Sequence, residues 1–65
     1  MMRNYRLYVL NSQERVDDAR ERPFADDREA LAAGEAARQG EGAYAVEVWA
    51  DQRLVARLGG EFLLG

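Results

Sequence analysis

One segment sets the terms for the whole chain. Asp26-Asp27-Arg28-Glu29 opens a helix: an Asp N-cap followed three residues later by Glu makes a capping-box-like start, with acidic charge at the positive end of the helix dipole. Arg38 falls in the last turn, and Gly40 is expected to take the left-handed conformation that ends it. Between those ends the inward positions are Ala30, Leu31, Ala33, Gly34 and Ala37, so four of the five are tiny. A helix with such a face lies unusually close to the sheet it covers, with Leu31 as its one large anchor.

The segments on either side have a period of two. In Tyr5-Arg6-Leu7-Tyr8-Val9-Leu10, residues Tyr5, Leu7 and Val9 fall on one side and Arg6, Tyr8 and Leu10 on the other, which reads as a central strand. Asn11-Ser12-Gln13-Glu14 is a polar turn. Residues 15 to 24 fit helix and strand spacing about equally. No apolar stripe exists there for a helix to bury, and a charged strand ending in Pro23 is how natural sheets blunt an edge, so an edge strand is expected. Beyond the helix, residues 43 to 50 form a strand with Tyr44, Val46 and Val48 inward and Glu47 and Trp49 outward. Asp51-Gln52 turns the chain, and residues 53 to 58 return with Leu54, Ala56 and Leu58 inward and Val55 and Arg57 outward.

The element order is therefore β-β-α-β-β. A right-handed crossover from strand two to strand three, with strand one between them, gives a four-stranded antiparallel sheet of order 2-1-3-4 with the helix on one face. This is a small α+β domain over residues 1 to 58. Gly59-Gly60 then hinges an apolar tail, residues 59 to 65, carrying Phe62, Leu63 and Leu64.

The runs Tyr5-Arg6-Leu7-Tyr8-Val9-Leu10, Ala25-Asp26-Asp27 with Ala30-Leu31, Val46-Glu47-Val48-Trp49 and Arg53-Leu54-Val55-Ala56-Arg57-Leu58 resemble a group of short bacterial one-domain β-β-α-β-β proteins of unknown function. The resemblance spans roughly residues 3 to 58 and implies a strand, not a helix, for residues 15 to 24. It implies no activity. Two departures stand out: Glu14 replaces the turn glycine expected near that position, and the Phe62-Leu63-Leu64 tail runs past where such chains commonly stop.

Composition narrows the chemistry. The 65 residues include no cysteine, histidine, lysine or threonine, and Ser12 is the single serine. Without imidazole, thiol or amine there is no ordinary general base near neutral pH, no thiolate, no Schiff base, no zinc-cysteine site and nothing to activate Ser12. We expect no enzyme, no cofactor and no metal. A chain this short has a thin stability margin, and disulfide and zinc staples are excluded, which points to a homodimer. No apolar run is long enough to span a membrane and no secretory pattern opens the chain, so a cytoplasmic protein is expected.

The sheet face away from the helix has nothing to cover it. Arg6, Tyr8 and Leu10 should lie beside Trp49, Val55 and Arg57 on that face, with Glu47 among them. An exposed apolar patch of this kind usually meets a second copy or a protein partner. The alternative is a single-stranded nucleic-acid binder stacking bases on Tyr8 and Trp49. Charge weighs against it: residues 1 to 13 carry +2, residues 14 to 41 carry −4 and the remainder −1, for a net −3. The acidic pairs have structural explanations. Asp26 caps the helix, Asp27 faces its dipole, and Asp17 and Asp18 point to opposite faces of a strand. Gly40-Glu41-Gly42 follows a helix instead of opening one, so it is a cap and linker, not a phosphate loop. For Phe62, Leu63 and Leu64 we expect contact with a partner or a second protomer, since the helix already fills the inner face.

Overall fold

A computed structural model describes residues 2–60 of the chain. Its elements are β1 (Arg3–Leu10), β2 (Val16–Phe24), α1 (Asp27–Glu41), β3 (Ala45–Ala50) and β4 (Arg53–Gly59). The strands form one antiparallel sheet of order β2-β1-β3-β4, with α1 on one face, as the patterning predicts. Among the described residues no helix is long and apolar enough to cross a membrane.

The core lies between α1 and the central strands. Tyr5, Leu7 and Val9 of β1 meet Val46, Val48 and Ala50 of β3, with Ala30 of the helix pressed onto them. Phe24, Val55 and Leu58 close its sides, and the Tyr5 and Phe24 rings sit 5.8 Å apart at 59°.

The helix starts as read: Asp26 Oδ1 accepts from the Glu29 N–H at 2.9 Å, and the Glu29 carboxylate accepts from the Ala25 N–H at 3.0 Å. It ends later than expected. Gly42, not Gly40, adopts the left-handed conformation, with φ 66°, and the Ala43 N–H closes the end on the Arg38 carbonyl at 3.0 Å. The two extra residues include Glu41, whose carboxylate accepts two bonds from Arg20 of β2 at 2.5 and 2.6 Å. That ion pair joins the edge strand to the helix end and is invisible to a local reading.

The anchoring of the helix also differs from expectation. Leu31 is half-buried and is not among the side chains packed on the core, while Ala30 and Gly34 are buried. Residues 30 and 34 lie one above the other on a helix face, so centring that pair on the sheet turns Leu31 toward the flank. A Cβ at Gly34 would lie 2.8 Å from Val48 Cγ2 and 3.1 Å from Leu58 Cδ1, a measure of how close this helix comes.

The first hairpin turns without a glycine. Glu14 has φ 64°, and Asn11 holds the loop by accepting on its side-chain oxygen from the Gln13 and Arg15 N–H groups at 2.9 and 3.1 Å. Tyr44, expected inward on the third strand, precedes β3 and is exposed.

Candidate interaction face

Strand register fixes which side chains share the outer face, opposite α1. Three rows cross it from β2 to β4: Val16, Leu10, Ala45 and Gly59; then Ala19, Tyr8, Glu47 and Arg57; then Glu21, Arg6, Trp49 and Leu54. Arg6, Tyr8, Trp49 and Arg57 are thus brought together as predicted. Arg6 is exposed, and the other three are half-buried.

Val55 is not on this face. The β3–β4 register slips between Val48 and Trp49: Val48 pairs with Ala56 but Trp49 pairs with Leu54, leaving Val55 as the extra residue of a β-bulge. The bulge reverses the alternation for residues before it. Leu54, expected inward, stands opposite Trp49 and is 45% exposed, while Val55, expected outward, packs against the core. Arg53 consequently falls on the helix side, where its guanidinium reaches Asp27 at 3.3 Å.

Leu10 belongs to the outer face by register but is only 4% exposed, and its neighbour Ala45 is fully buried. Both lie outside the core cluster beneath the helix. They form a second, smaller apolar contact at the turn end of the face. Phe62, Leu63 and Leu64, the predicted tail contacts, lie outside the described residues.

A polar network crosses the middle of the face. Trp49 Nε1 donates to Glu47 Oε1 at 3.0 Å, and Arg57 donates to Glu47 Oε2 at 3.0 Å and to both Glu14 carboxylate oxygens at 2.7 Å. Arg57 thereby ties β4 to Glu47 of β3 and to Glu14 of the first turn, leaving its side chain 14% exposed. The Glu14 carboxylate, and after it Glu47, holds the Arg57 guanidinium more firmly protonated than usual. Arg6 is pushed the same way, first by the Tyr8 side chain beside it on the strand and then by the charge of Glu21 across the strand.

Glu47 is on the face as alternation places it, and Glu14 and Leu54 join it, although alternation singled out neither of those two. For Leu54 a signal existed: a two-residue turn at Asp51-Gln52 pairs Ala50 with Arg53 and hence Trp49 with Leu54. For Glu14 there was none, because its role depends on a partner 43 positions away.

A second polar cluster sits on the helix side. Tyr5 Oη donates to Asp27 Oδ1 at 2.7 Å, which raises the Tyr5 phenol and, with Arg53, lowers the Asp27 carboxyl. A surface hollow of about 580 Å³ is lined there by Arg3, Tyr5, Asp27, Arg28 and Arg53, among others. Asp27 already sets acidic charge in the first turn of α1 beside this hollow. No family model, curated protein or solved structure matches this chain.

Proposed function

We propose that this chain is a non-enzymatic interaction module that binds a second copy of itself through the row formed by Arg6, Trp49 and Leu54. The observation that carries this reading is the pairing of Trp49 with Leu54 on the face turned away from the helix, with Leu54 nearly half exposed at 45%. A leucine beside a tryptophan, rimmed by an arginine and a glutamate, has the make-up of an interface centre: an aromatic anchor, apolar area and a polar edge.

Charge favours a like partner. Arg6 and Arg57 stand against Glu21 and Glu47 in the two lower rows, and Glu14 adds one negative charge at the edge, so the face carries −1 while the chain as a whole is at −3. Two such faces meet with less repulsion than the rest of the acidic surface would impose. Nucleic acid is disfavoured by the same arrangement, because the Trp49 ring is tethered to the Glu47 carboxylate and Arg57 is engaged by two glutamates.

Four strands about 4.8 Å apart and six residues rising about 3.3 Å each give a flat footprint on the order of 400 Å² per copy. Two such faces lie near the lower bound of roughly 1,000 Å² for a specific interface, so the association is weak, with a micromolar dissociation constant or above. Sedimentation equilibrium at about 200 µM is the test, a concentration matched to an interface of this size. The expected result is twice the monomer mass, reduced to monomer by Leu54→Asp and weakened by Trp49→Ala. A monomer for the unaltered chain refutes the proposal, and salt-sensitive quenching of Trp49 fluorescence by oligonucleotides would favour nucleic acid instead.

A further inference from the structure

Two copies joined through one and the same face are related by a two-fold axis, so every contact between them is made twice, reciprocally. With the faces stacked, that axis lies in the plane between the sheets, and its direction decides which side chains meet. A footprint of about 400 Å² per copy leaves no area to spare against what a specific interface needs, so the faces overlap in full and the axis passes through the middle of the face. Sheets packed face to face align their strands within about 30°, and the axis then runs either nearly across the strands or nearly along them.

The charges on the face choose between these directions. An axis across the strands inverts the order of the rows. The middle row then lies on itself, setting Glu47 over the partner's Glu47 and Arg57 over the partner's Arg57, while Arg6 and Glu21 come down on the partner's Leu10 and Val16. Like charges opposed in an interface work against binding. A diagonal axis, which packs the sheets at right angles, brings Arg6 beside the partner's Arg57 or Glu21 over the partner's Glu21. An axis along the strands keeps each row in place and reverses the strands within it, so that β1 lies over the partner's β3 and β2 over the partner's β4. Arg6 then meets the partner's Trp49, Tyr8 the partner's Glu47 and Glu21 the partner's Leu54, with no like charges opposed.

We propose that the two copies pair with the axis along the strands, each Arg6 guanidinium lying on the partner's Trp49 ring. The inference rests on the self-association proposed above and supplies its geometry. Arg6 is exposed, and the bond from Trp49 Nε1 to Glu47 at 3.0 Å holds the indole in place to receive it, a cation–π contact made twice across the axis. Glu21 and Leu54 stand on the two edge strands, so their contact falls at the rim, where the Glu21 carboxylate keeps its water.

Charge substitutions at Leu54 read the direction of the axis, because this orientation sets Glu21 opposite it and an axis across the strands sets Gly59 there. In sedimentation equilibrium Leu54→Arg should hold the dimer about tenfold more tightly than Leu54→Asp, and an equal mixture of Leu54→Asp with Glu21→Arg should recover a dimer that Leu54→Asp alone does not form. Both positions are exposed, so these substitutions leave the core as it is. Equal loss with either charge overturns the orientation and leaves self-association standing, whereas a monomer for the unaltered chain overturns both. On the unaltered chain, isotope-filtered NMR of an equal mixture of labelled and unlabelled protein should contain cross-peaks between copies from the Arg6 methylenes to the Trp49 ring. Cross-peaks between copies that join Trp49 to the Ala45 methyl would place the axis across the strands and overturn the proposal.

Discussion

The two glycines of α1 should respond to the same substitution with opposite signs. Gly34 and Gly40 both lie within Asp27–Glu41, and in a solvent-facing helix Gly→Ala stabilises by about 1 kcal/mol through backbone entropy and propensity. At Gly40 a Cβ meets nothing within 4 Å, so that gain survives, reduced to about 0.5 kcal/mol by its place in the last turn. At Gly34 the new methyl would sit 2.8 Å from Val48 Cγ2 and 3.1 Å from Leu58 Cδ1. Val48 cannot give way easily: it is fully buried, β-branched and stiff at χ1. The helix must lift from the sheet, and overpacking of this kind costs about 1 to 3 kcal/mol. Set against the propensity gain of about 1 kcal/mol, the net for Gly34→Ala is a loss of about 1 kcal/mol.

Urea denaturation of the two single variants and the unaltered chain, with a shared m-value, measures the difference directly. The expected separation between Gly40→Ala and Gly34→Ala is about 1.5 kcal/mol, roughly 0.5 upward and 1 downward. If Gly34→Ala stabilises as much as Gly40→Ala, the close approach of helix and sheet is wrong and so is the reason for the alanine-rich face. Gly34→Val adds two more carbons to the same gap and should cost more than Gly34→Ala, by about another 1 to 2 kcal/mol.

Three further outcomes follow from the geometry. Glu14 holds φ 64°, so Glu14→Gly should be more stable than Glu14→Ala by about 1 kcal/mol in chemical denaturation; both variants lose the bond to Arg57, which cancels, and an Ala variant as stable as the Gly variant would refute a left-handed turn. The bulge predicts that Val55→Ala costs about 1 kcal/mol of stability while Leu54→Ala stays within about 0.5 kcal/mol and acts on self-association instead, and the reverse ranking would return both residues to simple alternation. Asp27, held down by Tyr5 and Arg53, Asp18, held down by Arg20, and Glu41, likewise held by Arg20, all bind protons less readily folded than unfolded. The unfolded chain therefore takes up more protons as pH falls, so their contribution is complete above the ordinary carboxylate range near pH 4 and is lost below it. Thermal melts between pH 7 and pH 2 should fall in that window, with a shallower fall for Asp27→Asn; an unchanged slope would detach Asp27 from the acid transition.

What was legible in the sequence divides along a physical line. Tyr5, Leu7 and Val9 declared the inner face of β1 because alternation is a local consequence of the pleat, and Asp26 declared the helix start because capping is satisfied within four residues. The order 2-1-3-4 followed from handedness, with no side-chain detail needed. The features that escaped are those decided between distant residues. Gly40 and Gly42 are equally able to end a helix, and the structure takes the later one, where Glu41 meets Arg20 from the edge strand. Leu10 counts as outward by alternation and is outward, yet it is buried, because exposure depends on the neighbours a side chain meets in the fold and not only on where it points.

The misplacement of Leu54 and Val55 is of another kind, since two local rules disagreed over them. Counting back from the Asp51-Gln52 turn puts Leu54 opposite Trp49, whereas counting inward from Leu58 and Ala56 puts Leu54 beneath the helix. Both counts are right for their own ends of the strand. A strand in which the turn count and the apolar alternation differ by one must carry an extra residue between them, and Val55 is that residue. The consequence reaches the open face: without the bulge Val55 would have stood opposite Trp49 in place of the larger Leu54, and Arg53 would have pointed away from Asp27. A variant that deletes Val55 keeps Ala50 opposite Arg53, Trp49 opposite Leu54 and Val48 opposite Ala56, so it should keep self-association and the Arg53–Asp27 contact while losing about 1 kcal/mol of stability in urea denaturation through the missing core side chain. A deletion variant that no longer self-associates would mean that the bulge, and not the count from the Asp51-Gln52 turn, holds Leu54 on the face.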